Sequence, residues 1–122
     1  MDWSFFMSKK KLKLLKGRFY SIFTTGGSHP SLLFRKNKRK NKYYIVVFDS
    51  SNGRHRTRLR YPTSKEVKES YVQNRPLLSV RKDLGNHELF GLRIHKEDKV
   101  MIEIVKHRKP RMTKNYKKRF EK

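Results

Sequence analysis

The sequence predicts a mostly β protein, a small antiparallel framework followed by one C-terminal helix. Three observations carry that prediction. Short apolar runs of strand length recur between turn signals from residue 17 to residue 80. One of them, YYIVVF at 43–48, is apolar on both faces, and from Glu97 the apolar period changes from that of a strand to that of a helix.

The elements follow in order. GRFYSIF (17–23) reads as a first strand, and TTGGSHP (24–30), with two glycines and a proline, as a loop. SLLF (31–34) and YYIVVFD (43–49) are the next strands, and RKNKRKNK (35–42) reads as a long solvated hairpin loop between them. Tyr43, Ile45 and Val47 share one face of the third strand and Tyr44, Val46 and Phe48 the other, the pattern of a central strand covered on both sides. Asn52-Gly53 is a hairpin signal. RHRTRLRY (54–61) then alternates, with Arg54, Arg56, Arg58 and Arg60 on one face and His55, Thr57, Leu59 and Tyr61 on the other, until Pro62 ends it. Four arginines in such a strand form a basic comb roughly 20 Å long.

SKEVKES (64–70) reads as a short helical turn. YVQNRPLLSV (71–80) reads as a strand pair or a bent strand broken at Pro76, and RKDLGNHELFG (81–91) as turn-rich. Val100, Met101, Ile104 and Val105 share a helical face, with Glu97 and Asp98 in the first turn and Lys106, Arg108 and Lys109 in the last, as the helix dipole favours.

The 122 residues suffice for one domain, and 33 Lys+Arg against 10 Asp+Glu give a formal charge of 33 − 10 = +23. With 34% hydrophobic residues the core must be small and confined to a few segments. The expected organisation is a basic N-terminal arm (1–16), one β-rich domain (17–107) and a basic, mobile tail (108–122), whose like charges repel one another. So large a charge opposes compaction unless a polyanion or an acidic partner offsets it, so nucleic acid or an acidic protein is the expected company. There is no cysteine, which excludes disulfides, thiol nucleophiles and cysteine-held metals. The longest apolar run, six residues, is far below the ~18 that a membrane-spanning helix needs. The N-terminus sets Trp3, Phe5, Phe6 and Met7 before its lysines, the reverse of a secretory signal, so a cytoplasmic protein without membrane contact is expected.

Histidines at 29, 55, 87, 95 and 107 form no i, i+4 pair and the acidic residues are scattered, so neither a metal nor any other cofactor is expected. Gly26-Gly27 has the spacing of neither common phosphate loop. The signal that points to chemistry is the comb, because guanidinium groups in register clamp phosphates. Lys36, Lys38, Arg39, Lys40 and Lys42 in the preceding loop are expected to widen the same nucleic-acid-binding surface.

The succession GRFYSIF, GGSHPSLLF, YYIVVFDSS, then SYVQNRPLLSVRKDL and GLRIHKEDKVMIEIV resembles the MazF/PemK family of toxins over about residues 17 to 106. The resemblance implies a small SH3-like barrel, a homodimer, and metal-independent cleavage of single-stranded RNA in which a 2′-hydroxyl attacks the adjacent phosphate. It also implies inhibition by an acidic antitoxin protein. The family's loop arginine and its Thr or Ser after the third strand fall on His29 and on Ser50 or Ser51, so these are the candidate catalytic residues. His29 stands where that family commonly has arginine; a histidine can exchange protons near neutral pH and, protonated, stabilise phosphate charge. Composition alone supports a second reading, a non-catalytic nucleic-acid-binding protein such as a ribosome-associated or mobile-element accessory factor.

Overall fold

A computed structural model describes residues 13–120. The rest of the N-terminal arm, residues 1–12, lies outside the described residues. Eight strands form an open, almost wholly antiparallel sheet: β1 (Phe19–Thr24), β2 (Gly27–Asn37), β3 (Lys42–Asp49), β4 (Arg56–Arg58), β5 (Tyr71–Gln73), β6 (Leu77–Ser79), β7 (Leu84–Leu89) and β8 (Arg111–Met112). Among the described residues two short α-helices, α1 (Lys99–Lys106) and α2 (Lys114–Lys117), accompany the sheet. The strand order is β4-β5-β3-β2-β1-β7, with β6 against the other half of β3's edge and β8 parallel to β6.

Strand β3 is central because both of its faces are apolar. Tyr43, Ile45 and Val47 pack with Leu14, Tyr20, Ile22, Leu33 and Leu84, while Val46 and Phe48 pack with Phe19, Leu32, Leu59, Val72, Ile102 and Val105. The strands β7, β1, β2, β3 and β6 contribute side chains to the first cluster, and a 3₁₀ turn at Arg81–Asp83 carries the chain from β6 to β7. Helix α1 covers the second cluster.

Several local expectations are corrected. The loop expected at 24–30 shrinks to a tight turn in which Thr24 pairs with Gly27, and His29 and Pro30 lie inside β2. Thr24 Oγ1 donates to the Gly27 carbonyl at 3.0 Å and accepts from the Gly26 amide at 3.2 Å, and Gly27 takes a φ of 114° that a side chain would resist. Proline is tolerated because the β2–β3 ladder begins only at Ser31. The lysine-rich connection is likewise not a long loop: β2 runs to Asn37, β3 starts at Lys42, and Asn41 closes the turn at φ 53°.

The stretch 54–61 is a strand only over Arg56–Arg58. His55 at φ 61° breaks it on one side, and on the other the buried carboxylate of Asp98 accepts the amides of Arg60 (2.8 Å) and Tyr61 (3.1 Å) and bends the chain. Asn52-Gly53 does not join neighbouring strands, because β5 lies between β3 and β4. No helix forms at 64–70; Thr63 and Ser70 close that segment through Thr63 N–H to Ser70 Oγ at 2.8 Å and a hydroxyl pair at 2.9 Å. Residues 84–89, expected as turns, form the edge strand β7 along β1.

On α1 the inward residues are Ile102 and Val105, with Met101 partly buried, whereas Val100 (70% exposed) and Ile104 (45%) face outward. The expected apolar face is therefore rotated. Asp98, tied to the Arg60–Tyr61 backbone, sets an inward row 98, 102, 105 at i, i+4, i+7 spacing.

The segment expected to be a mobile tail is docked as far as Phe120. Arg111 and Thr113 give their amides to the carbonyls of Pro76 (2.9 Å) and Leu78 (3.1 Å). The Thr113 hydroxyl and the Asn115 amide each donate to buried Asp83 at 2.7 Å, and Tyr116 packs on Leu78 and Val80. Among the described residues no helix is long and apolar enough to cross a membrane.

Candidate functional site

The hairpin register places His29, on β2, across from the end of β3 at Asp49. The Asp49 side chain is only 3% exposed, so its charge needs partners. It has three: His29 Nδ1 lies 2.8 Å from Oδ1, while Arg56 Nε at 3.1 Å and Gln73 Nε2 at 3.0 Å donate to Oδ2. β4 supplies Arg56 and β5 supplies Gln73, so the β4-β5-β3-β2 order assembles the cluster from four strands. Arg56 is held further by a bond from its terminal nitrogen to the Ser51 carbonyl at 2.9 Å. Gly53 makes room for this: a Cβ there would come within 3.0 Å of the guanidinium carbon.

A pocket of about 160 Å³ opens beside the cluster, walled by Ser28, His29, Asp49, Ser50, Thr63 and Ser64 among others. When the imidazole of His29 carries one proton, the carboxylate contact favours that proton on Nδ1 and the lone pair on Nε2, and His29 is one of the residues that line the pocket. A pocket that joins a carboxylate-oriented imidazole to a serine hydroxyl can accept a proton and orient a hydroxyl.

Of the residues singled out from the sequence, His29 and Ser50 share this pocket, and Arg56 meets it through Asp49. Ser51 is not part of the wall; it contributes its carbonyl to Arg56. The comb is divided. Arg56 and Arg58 keep strand alternation, but Arg56 is engaged by Asp49 and Arg58 lies 3.6 Å from Glu69, while Arg54 and Arg60 are exposed outside the strand.

Lys36, Lys38, Arg39, Lys40 and Lys42 do not widen this surface. They sit at the opposite end of the β2–β3 hairpin, and the seven steps along the strand from Lys42 to Asp49 span about 23 Å. There Lys36 bonds the Leu14 carbonyl at 2.5 Å, and its ammonium is held below the ordinary lysine value by desolvation first and then by Lys13, Lys38 and Lys16. Among the described residues, no ion pair neutralises Lys13, Lys16, Lys36 or Lys38.

Asp49 and Gln73 were missed by the sequence reading. Asp49 was legible as an acidic residue closing an apolar strand, but its role needed the hairpin register; for Gln73 no sequence signal existed. Among the described residues no group of three or more His, Cys, Asp or Glu is placed to hold a metal ion. Compared with known proteins, the chain matches no family model, no curated protein and no solved structure.

Proposed function

We propose that this chain is a basic RNA-binding protein of MazF/PemK-like type whose pocket cleaves single-stranded RNA without a metal ion. The observation that carries the reading is the His29–Asp49 contact at 2.8 Å on a pocket that also holds Ser50. In this mechanism His29 Nε2 takes the proton of a 2′-hydroxyl oriented by Ser50. The freed oxygen bonds to the adjacent phosphorus, and the 5′-oxygen leaves and takes a proton from solvent, giving a 2′,3′-cyclic phosphate. Asp49 stabilises the imidazolium that forms and is itself held in place by Arg56 and Gln73.

The contribution of five strands, β7, β1, β2, β3 and β6, to one apolar cluster supports the proposal that the sheet curls as an SH3-like barrel. A homodimer, an acidic antitoxin and a cytoplasmic setting belong to the same proposal; the +23 charge suits an acidic protein as well as RNA.

Incubating the purified protein with single-stranded RNA in EDTA tests the reading. Fragments ending in cyclic phosphate are expected from the wild type and not from His29→Ala or Ser50→Ala. RNA left intact by wild type would overturn cleavage.

One observation favours the alternative of binding without cleavage: Arg56 is already occupied by Asp49 and Ser51 and so is not free to clamp a phosphate, whereas the unneutralised lysines at the far end of the hairpin are. On that reading RNA binds and survives, and affinity falls about 10³- to 10⁵-fold between ~50 and ~200 mM salt if six to ten phosphates are contacted.

A further inference from the structure

Beside the pocket stands an aromatic pair that the scheme above does not use. The rings of Tyr61 and His95 stack with centroids 3.8 Å apart and planes 24° from parallel, yet Tyr61 remains 42% exposed. It is also immobilised from several sides. Its amide donates to Asp98 at 3.1 Å, and the Glu97 carboxylate near its hydroxyl, the largest contribution, raises the phenol above its ordinary pKa. His95 is fixed in turn, since its Nδ1 accepts the Glu97 amide at 3.1 Å. A tyrosine exposed on one face but held rigid has already lost the freedom that binding would otherwise cost.

Its place relative to the pocket follows from one hydrogen bond. The Arg93 amide donates to the carbonyl of Thr63, a pocket wall, at 2.9 Å. Tyr61 and His95 each lie two residues out from that bond, one on each chain segment, so the Cα atoms that carry the stack are within about 7 Å of those of Thr63 and Arg93 respectively. Arg60, next to Tyr61, is exposed and belongs to no ion pair among the described residues.

We propose that the ring face of Tyr61 turned away from His95 is a stacking platform for one unpaired nucleobase of single-stranded RNA, with Arg60 beside it for that nucleotide's phosphate. This rests on the RNA reading above and adds a base subsite to it. Every nucleobase offers a π face, so the subsite tolerates sequence, but a duplex keeps those faces stacked on one another and is excluded.

The test uses the full chain and a short 2′-O-methyl RNA, which cannot be cleaved, carrying the fluorescent base 2-aminopurine at each position in turn. In wild type one position is quenched on binding. Tyr61→Phe keeps the quenching and binds within about twofold, whereas Tyr61→Ala abolishes it and weakens binding about tenfold. An abasic residue at the quenched position weakens wild type by a similar factor and Tyr61→Ala no further. Wild-type binding with no quenched position, or Tyr61→Ala binding as tightly as wild type, overturns the platform and leaves the RNA reading standing. Should Tyr61→Ala not fold, the abasic substitution on wild type decides, and no loss of affinity there overturns the proposal. Failure of wild type to bind any RNA at low salt is the distinct outcome that removes the RNA reading, and the platform with it.

Discussion

Replacing Asp49 by Asn removes one charge and almost no volume, and the geometry says what must happen next. Oδ2 accepts from two donors, Arg56 Nε and Gln73 Nε2, whereas Oδ1 faces only His29. The new amide therefore turns its oxygen to Arg56 and Gln73 and its NH₂ to His29. Nδ1 must then accept, so the imidazole proton moves to Nε2 and the base on the pocket wall is lost. On the proposed cleavage mechanism this removes the general base, which costs ~10²- to 10⁴-fold in rate. Arg56 and His29 keep 25% and 27% side-chain exposure, so water compensates part of the lost charge, and the stability change is about that of one charge-assisted hydrogen bond, ~1.5–3 kcal/mol. Three measurements on Asp49→Asn check this: cleavage of single-stranded RNA in EDTA, chemical denaturation, and ¹⁵N NMR of the His29 tautomer. A variant that cleaves within about twofold of wild type, or a wild-type ring whose proton sits on Nε2, would refute the reasoning.

Gly53→Ala should push the Arg56 guanidinium off Asp49. The lost charge-assisted bond, ~1.5–3 kcal/mol, outweighs the ~0.4–1 kcal/mol gained by restricting the unfolded chain, so denaturation should show a net loss of ~1 kcal/mol; equal or raised stability would mean Arg56 moves without cost. Thr113→Val removes both a donor to Asp83 and the cap that accepts the Tyr116 amide, so a loss of ~2–4 kcal/mol and faster tryptic cutting after Arg111 are expected, with Thr113→Ser largely restoring both. In an alkaline spectrophotometric titration Tyr61 should ionise above the usual value of about 10, because Glu97 accepts its proton, and Glu97→Gln should bring it back while Tyr71, raised chiefly by Glu69, stays high. The sign is that of a folded-state pKa raised above the unfolded one: the stabilisation is complete below the unfolded value and disappears as pH rises through the folded one.

What could be read from the sequence was whatever rested on local apolar pattern. β3 declared itself through two apolar faces, and the chain break at Pro76 separates β5 from β6 as that proline suggests. β7 did not, because an edge strand buried on one side tolerates Gly85, Asn86 and His87, residues that also spell turns. The arginine comb failed for a nonlocal reason: alternation across 54–61 is correct for a strand, but a left-handed His55 and a carboxylate 38 residues away from Arg60 cut that strand to three residues. The rotated face of α1 has the same origin, since Asp98 fixes both. For the site, His29 and Ser50 were found through resemblance and do share a pocket, while Asp49 joins them only once strand register is known.

The parallel strand β8 has a consequence for the order in which the molecule is completed. Asp83 is buried, and two of its hydrogen-bond donors, Thr113 and Asn115, come from 30 and 32 residues further along the chain. Synthesis runs from the N-terminus, so a nascent chain can pair β1 with β2 and β2 with β3 long before that carboxylate is satisfied. The last basic stretch then acts as a latch on an otherwise assembled sheet, and a translation product ending near Pro110 would keep the hairpins while leaving the Asp83 carboxyl group without its donors from Thr113 and Asn115.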